Sequence, residues 1–352
     1  MAARAITTYI NAIVQDSILN KGNVIDNIFE GNPGLDWFWT MRERQVGGER
    51  CNWIFYRSDP QQGQTISLYE DYLVAPVDDE LQASIIWADY IFPLVLSKTL
   101  LKKVTGKDGL INLTLASMEK TRKSAKAQLS QDLYGVGDDY AHPVFNGKTN
   151  ANPLFGIDGI VGVDRTYAGF DSTTYTQLDS TVVTIDGSTY ADMYSSSDAN
   201  YLPDAMENVI TETDFDDGDK GINKILTTKI GLEALKRAVG RGDAGQAAST
   251  VGGMRIDGGY PKDGVAKAGV TSFWWGGIPV NRDNKCTAGR MFFLNSDTMY
   301  MKVLAGSDMT YEPAEPNSAG DSIVGNFSVS AQIICTEPRR QGKITGISTD
   351  RT

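Results

Sequence analysis

One histidine and three cysteines among 352 residues remove several kinds of chemistry at the outset. His142 has no second imidazole with which to hold a metal, and most nucleophilic triads need a histidine base. It lies in Tyr140-Ala-His-Pro143, a loop setting. Cys51, Cys286 and Cys335 are far apart, odd in number and form no C-x-x-C pair. That argues against a disulfide framework and a thiolate zinc site, and fits a reducing cytoplasm. Long apolar runs are also missing. The most apolar stretch, Gln82 to Leu100, holds twelve residues from Ile85 to Leu96 that are interrupted by Asp89 and Pro93. As a helix those twelve would reach about 18 Å, against a hydrocarbon core of about 30 Å. Pro93 would also delete a helical hydrogen bond, so no membrane span is expected. The first ten residues carry one basic side chain and no long apolar core, unlike a secretory signal. Cations are in deficit too, 33 Lys and Arg against 44 Asp and Glu, a formal net charge of −11. Extensive coating of nucleic acid needs clustered Lys and Arg, so any such contact is expected to be weak and local.

What is present is ordinary globular material: 41% hydrophobic and 22% charged residues, with 36 glycines that imply many turns. The length suits about two domains with a large core. Ile6, Ile10, Ile13, Val14 and Ile18 have helical spacing. Gly31-Asn-Pro-Gly34 reads as a turn, and Trp37, Phe38 and Trp39 as an aromatic clasp on an arm that docks elsewhere. Val46 to Arg57 reads as a strand, Ser58 to Gln64 as a turn and Thr65 to Leu73 as the return strand. This hairpin is polar on much of both faces, so a surface outside it must support it. The stretch 82–100 is apolar on both faces at period two, the pattern of a buried strand. Pro93 then requires an edge position or a bulge.

Residues 109–134 give the clearest helix, ended by Gly135, about 39 Å long. Glu119 has partners at Arg122 and Lys123. Helices over 203–212 and 229–239 bracket a buried strand at Ile222 to Thr228, an α/β layer. Residues 240–270 read as a long glycine-rich loop. Strands follow at Ile278 to Val280, Met291 to Leu294 and Met299 to Val303. The cleanest strand alternates apolar Ile323, Phe327, Val329, Ala331 and Ile333 with mostly polar neighbours, before a turn and a short strand from Lys343 to Ile347.

Candidate chemistry fails on spacing. Gly147-Lys148-Thr149 would end a phosphate loop whose first glycine falls on His142. The acidic run Asp214 to Asp219 would need a glutamate at loop position twelve, which is Ile225, leaving at most a weak cation site of another kind. Glu70, Asp71, Asp78, Asp79 and Glu80 fit a solvated hairpin better than a glycosidase pair. Arg241-Gly-Asp243 reads as a chance tripeptide, Arg339 and Arg340 as a salt-bridged turn, and Trp274 and Trp275 as a plug at a core edge rather than a sugar platform.

The order of arm, hairpin, apolar strand, long helix, α/β middle and long late strand resembles the major capsid proteins of tailed bacteriophages. The segments that carry the resemblance are Gly47 to Arg57 with Tyr69 to Tyr72, Tyr90 to Ser97, Gln131 to Gly135, Phe155 to Val161, Gly276 to Val280 and Cys335 to Gly342. The resemblance implies an α+β fold of the Hong Kong 97 type. Its parts would be an N-terminal arm (1–44), an extended loop (45–82) and a peripheral domain (83–153) with a spine helix (109–134). An axial domain (154–308) would hold an insertion near 171–200 and the flexible loop 240–270, and peripheral strands (309–352) would end the chain. It implies a non-enzymatic shell protein without cofactor or metal, a virion component assembled in the bacterial cytoplasm as hexamers and pentamers around double-stranded DNA. Scaffolding, portal and decoration proteins would be its partners, with packaged DNA touched weakly and no membrane. Trp37, Trp39, Trp53, Tyr56, Arg57, Tyr69, Glu70, Asp71, Glu119 and Arg122 are the expected contacts between subunits. Two alternatives remain at this point: an encapsulin-type nanocompartment, and a carbohydrate-binding or hydrolytic surface protein using the Trp pair and hairpin carboxylates. Deleting residues 58–64 is expected to leave circular dichroism of the monomer unchanged while impairing assembly. Global unfolding of that variant would place the hairpin turn in a core.

Overall fold

A computed structural model describes residues 3–19, 32–56, 80–103, 107–135, 154–185, 193, 201–214, 221–240, 273–316 and 321–349. The chain starts with helices α1 (Ala3–Leu19) and α2 (Pro33–Thr40) and strands β1 (Glu43–Gln45), β2 (Arg50–Tyr56), β3 (Glu80–Ile86) and β4 (Ala88–Ser97). A short helix α3 (Lys98–Lys103) and the 26-residue α4 (Lys107–Asp132) follow. Next come α5 (Ile157–Ile160), the small hairpin β5 (Thr166–Tyr167) and β6 (Phe170–Asp171), β7 (Thr181–Thr184), α6 (Leu202–Thr213), β8 (Lys224–Thr227) and α7 (Lys229–Gly240). The last part holds β9 (Phe273–Trp275), β10 (Ile278–Arg282), β11 (Met291–Leu294), β12 (Met299–Leu304), β13 (Thr310–Pro316), β14 (Ser322–Cys335) and β15 (Gly342–Thr345).

The alternation legible at 323–335 builds the axis of the first sheet. Along one edge of β14 runs β4, in unbroken antiparallel register from Ser322↔Ser97 to Ala331↔Ala88. Along the other edge run β12, from Met299↔Cys335 to Val303↔Ala331, and then β13, from Thr310↔Ser328 to Pro316↔Ile323. β1 adds a parallel strand outside β12. The inward face, with Tyr90, Phe92, Leu94, Phe327 and Val329, is covered by α4 through Met118, Ala125 and Leu129. The gap among Phe92, Met118 and Phe327 has room for no more than a water molecule.

Among the described strands β4 pairs with β14 alone, and no described strand covers its outer edge. α4 covers part of that edge. Ser117 Oγ donates to the Val95 carbonyl and Thr121 Oγ1 to the Pro93 carbonyl, each at 3.1 Å. A residue's N–H and C=O point to the same side of a strand, so the Pro93 nitrogen also faces outward. Its missing donor therefore costs no ladder bond. Of the two positions expected for Pro93, the edge is the one found, with no register shift.

The second sheet has the order β7-β15-β11-β8-β10-β9. α6 and α7 cover one face, burying Met206, Val209, Leu232 and Leu235 against Ile225, Val280, Phe293 and Ile344. Leu226, Phe292 and Leu294 belong to the first core instead, so the two cores meet through this sheet.

Several expectations are corrected. The stretch 82–100 is two strands separated at Trp87, and β4 is buried on one face only, because Ile91 and Val95 are 65% and 51% exposed. The strand returning to β2 is β3, registered from Arg50↔Ile86 to Tyr56↔Glu80, whereas Thr65 to Leu73 lies outside the described residues. The hairpin stem is not polar on both faces: Cys51, Trp53, Phe55 and Ala83 are buried. The arm docks, as expected, but on its own chain: Ile10 and Val14 are fully buried in the first core, and the Ala314 N–H of β13 donates to Asn11 Oδ1 at 2.8 Å. Residues 33–40 form a helix rather than a turn and clasp, since Pro33 in the first turn fits a helix start. β12 belongs to the first sheet and β15 to the second. Within the expected insertion, β7 pairs with β15 and forms an edge of the second sheet. The flexible loop 240–270 lies, apart from Gly240, outside the described residues, as do His142, Gly147 to Thr149 and most of the Asp214 to Asp219 run.

The end of α4 is closed by the start of α5. Ile157 N–H donates to the Leu133 carbonyl at 2.8 Å and Gly159 N–H to the Gly135 carbonyl at 3.2 Å, satisfying acceptors a helix end leaves open. Gly156 makes the approach possible: a β-carbon there would lie 2.3 Å from the Gly135 nitrogen and 2.4 Å from its oxygen. Gly156→Ala is expected to lower stability in urea unfolding by about 1–3 kcal/mol. Gly221→Ala, whose β-carbon would meet nothing nearer than 3.7 Å, should change it little.

Candidate functional site

Among the described residues no three His, Cys, Asp or Glu side chains converge as metal ligands, and no helix is long and apolar enough to cross a membrane. All three cysteines are buried. Burial pushes the Cys51 thiol up to about 11 and the Cys335 thiol to about 12, leaving neither as a thiolate near neutrality. Trp275 is buried, its indole N–H donating to Glu207 Oε1 at 2.8 Å, so the expected core plug is found at that ring. Trp274 is exposed on the edge strand β9, paired with Pro279.

The features left are surfaces and the joint between the two cores. The stem of β2 and β3 is anchored by one face. Trp53 donates its indole N–H to the Cys335 carbonyl at 3.2 Å, and the rings of Trp53 and Phe55 lie 5.7 and 5.6 Å from Tyr167. Tyr167 holds β14 as well, accepting from the Cys335 N–H at 3.2 Å. The opposite face of the stem presents Ile54 and Ile86 to solvent. Residues 57–79 connect the two stem strands and lie outside the described residues. The first sheet is open on the side away from α4, where β4 shows Ile91, Pro93 and Val95.

The expected contact residues divide accordingly. Trp39 and Trp53 are buried in this chain's own core, with Arg42 stacked over Trp39 at 4.4 Å from the ring centre. Trp37 is half-buried and meets Phe38 edge to face. Glu119 pairs with Arg122 at 2.5 Å and with Lys123 at 3.6 Å, as the helical spacing implied. The hydrogen bond from Arg122 holds its carboxyl below the ordinary value. Arg57, Tyr69, Glu70, Asp71 and the Tyr56 side chain lie outside what is described. The exposed Ile54, Ile86, Ile91, Val95 and Trp274 were not singled out as contacts. Their apolar character was visible in the sequence, but exposure of one face in a single copy was not.

At the joint, three buried carboxylates bind different segments together. Asp132 at the end of α4 accepts from Tyr90 Oη at 2.8 Å. Asp283, after β10, accepts from Tyr134 Oη at 2.9 Å and from the Gly34 N–H at 3.2 Å, linking the second sheet to α4 and α2. Asp158 on α5 pairs with Arg290 and, at 3.1 Å, with Lys343 of β15. Arg165 lies nearby, donating to the carbonyls of Ile160 and Leu178. Burial, then the like charges of Arg290 and Arg165, lowers the Lys343 ammonium to about 8. One carboxylate shared by two cations leaves part of that cost uncompensated.

No family model and no curated protein matches the chain. Solved structures do. A chain of the cyanophage A-1(L) capsid asymmetric unit aligns over 90% of this chain and 93% of its own, at 18% identity and a TM-score of 0.57. A chain from the capsid of a native GTA particle aligns over 88% and 89%, at 12% identity and a TM-score of 0.53. One from Mycobacterium phage Adephagia aligns over 88% and 90%, at 10% identity and a TM-score of 0.50. The chain therefore has the mixed helix-and-sheet fold of tailed-phage capsid proteins.

Lys343 gives the joint a pH signature. Its folded value lies below that of an unfolded lysine, so between about pH 8 and 10 the unfolded chain binds more protons and stability rises with pH. The slope from this group is at most about 1.4 kcal/mol per pH unit. In thermal melts from pH 7.5 to 9.5 the wild type should gain stability relative to Lys343→Met as pH rises, by up to this slope. Parallel curves would exclude a depressed Lys343.

Proposed function

We propose that this chain is a major capsid protein, a structural and non-enzymatic subunit. Copies of it assemble as hexamers and pentamers into a closed shell around double-stranded DNA in the host cytoplasm. The observation that carries the reading is the fold match, which spans 90% of this chain and 93% of a cyanophage capsid chain. Exposed apolar faces support it. Ile91 and Val95 on the open sheet, Ile54 and Ile86 on the hairpin stem and Trp274 at the far sheet edge are costly in a chain that stays alone.

In this reading Trp53 and Phe55 anchor the stem so that residues 57–79 can serve a neighbouring subunit. Tyr56, Arg57, Tyr69, Glu70 and Asp71 then act as contacts, with Trp37, Glu119 and Arg122 at the body. Trp39 contributes by holding α2 and not by touching a neighbour. A scaffolding protein, a portal and decoration proteins are the partners such a shell would take.

Electron microscopy of the purified chain, alone and with the scaffolding protein of its phage, tests the reading. Closed shells with fivefold and sixfold capsomers are expected. Monomers alone by light scattering under both conditions would sink it.

A further inference from the structure

The acidic balance of the chain hides a strong segregation of charge. From Lys98 to Lys126 the sequence has eight Lys and Arg against Asp108 and Glu119, a local excess of +6 in a chain of −11. From Thr166 to Asp219 it has twelve Asp and Glu and no Lys, Arg or His. The basic stretch is α3 and α4, and the outer side of α4 is its solvent face. Asp108, Asn112, Ala116, Lys120 and Lys123 are exposed at helical steps of four and three, opposite the buried Met118, Ala125 and Leu129. Lys103 is exposed at the end of α3, and the Lys123 side chain is 72% exposed.

We infer that this face of α3 and α4 binds the phosphate backbone of duplex nucleic acid, without base readout. It is the place where the weak contact expected of an acidic chain becomes local. The composition of the face favours phosphate over an acidic protein. Seven of the eight cations are lysines, which are depleted in protein interfaces, and no aromatic ring lies between Lys98 and Lys126 to act as an anchor. Lysine is a flexible point charge suited to a polyanion whose phosphates recur every few ångströms. The inference takes duplex DNA as the occupant from the shell reading above, whereas the binding face rests on the charge pattern alone.

Fluorescence anisotropy of a 30-base-pair duplex titrated with the purified full chain, at several salt concentrations from about 20 to 200 mM, reads the contact. Each phosphate neutralised contributes about 0.9 to the slope of log affinity against log salt. The triple variant Lys103→Gln, Lys120→Gln, Lys123→Gln should flatten that slope by about 2–3 and weaken binding at low salt at least tenfold. Lys229→Gln, Lys236→Gln, Lys285→Gln removes the same charge from exposed positions near the second sheet and should leave slope and affinity unchanged. The inference fails if the wild type shows no salt-dependent binding, or if the two triple variants behave alike. It also fails if poly-glutamate of equal charge competes as well as unlabelled duplex, which would assign the face to an acidic protein. A low-salt self-association, seen by sedimentation and lost in the first triple variant alone, would assign it to the acidic segment of a second copy. Duplex binding by a chain that forms no shells would retire the shell reading and keep this one. Shells with no duplex binding would do the reverse.

Discussion

A strand of fourteen residues has to satisfy its backbone along two edges, and the arrangement of this protein depends on how β14 does so. No single partner covers either edge from end to end. β4 takes most of one side, while β12 and β13 divide the other, separated by the turn around Ser307. Each of those partners brings its own attachments: β4 brings the hairpin stem and α4, β12 brings β1, and β13 brings α1. Removing β14 from this scheme would leave elements distant in sequence with no common backbone. The far end of β14 is fixed by aromatic packing instead, where Tyr167, Trp53 and Phe55 gather around Cys335.

The joint between the sheets follows from the same constraint. After Cys335 the chain turns at once into β15 of the second sheet, and α4 hands over to α5 through shared carbonyl acceptors. Polar groups buried at this joint find partners within the protein. Asp132, Asp158 and Asp283 supply them. At Asp158, which pairs with two cations, burial and the neighbouring like charges drive the ammonium of Lys343 down. Asp158 joins α5 to Arg290 and to Lys343 of β15, across the two cores.

Much of this was legible in the sequence, for reasons that can be stated residue by residue. The alternation from Ile323 to Ile333 and the three-and-four spacing of Met118, Ala125 and Leu129 are local periodicities, and both elements appear within two residues of their expected limits. α6, β8 and α7 were equally plain. Pairing was not. Cys51, Trp53 and Phe55 form an apolar face at period two, yet nothing local says that their partner is Glu80 to Ile86 and not the nearer Thr65 to Leu73. Pro33 within Gly31-Asn-Pro-Gly34 reads as a turn, yet proline in the first turn is equally a helix start, and local sequence does not choose between them. The period-two pattern implies burial of Ile91 and Val95, and the structure exposes both. A single chain can leave such a face open, and sequence alone does not record whether one copy or several must cover it.

The edge of β4 has one more consequence. Pro93 offers no N–H, and the carbonyls of Pro93 and Val95 are already occupied by hydroxyls of α4. A stray strand from another molecule finds no donor at Pro93 and already engaged acceptors at Pro93 and Val95, so this margin is a poor template for sideways growth of the sheet. Association at this flank is left to side chains. Contacts of that kind can form, slip and re-form before they settle, whereas strand addition tends to be a one-way path.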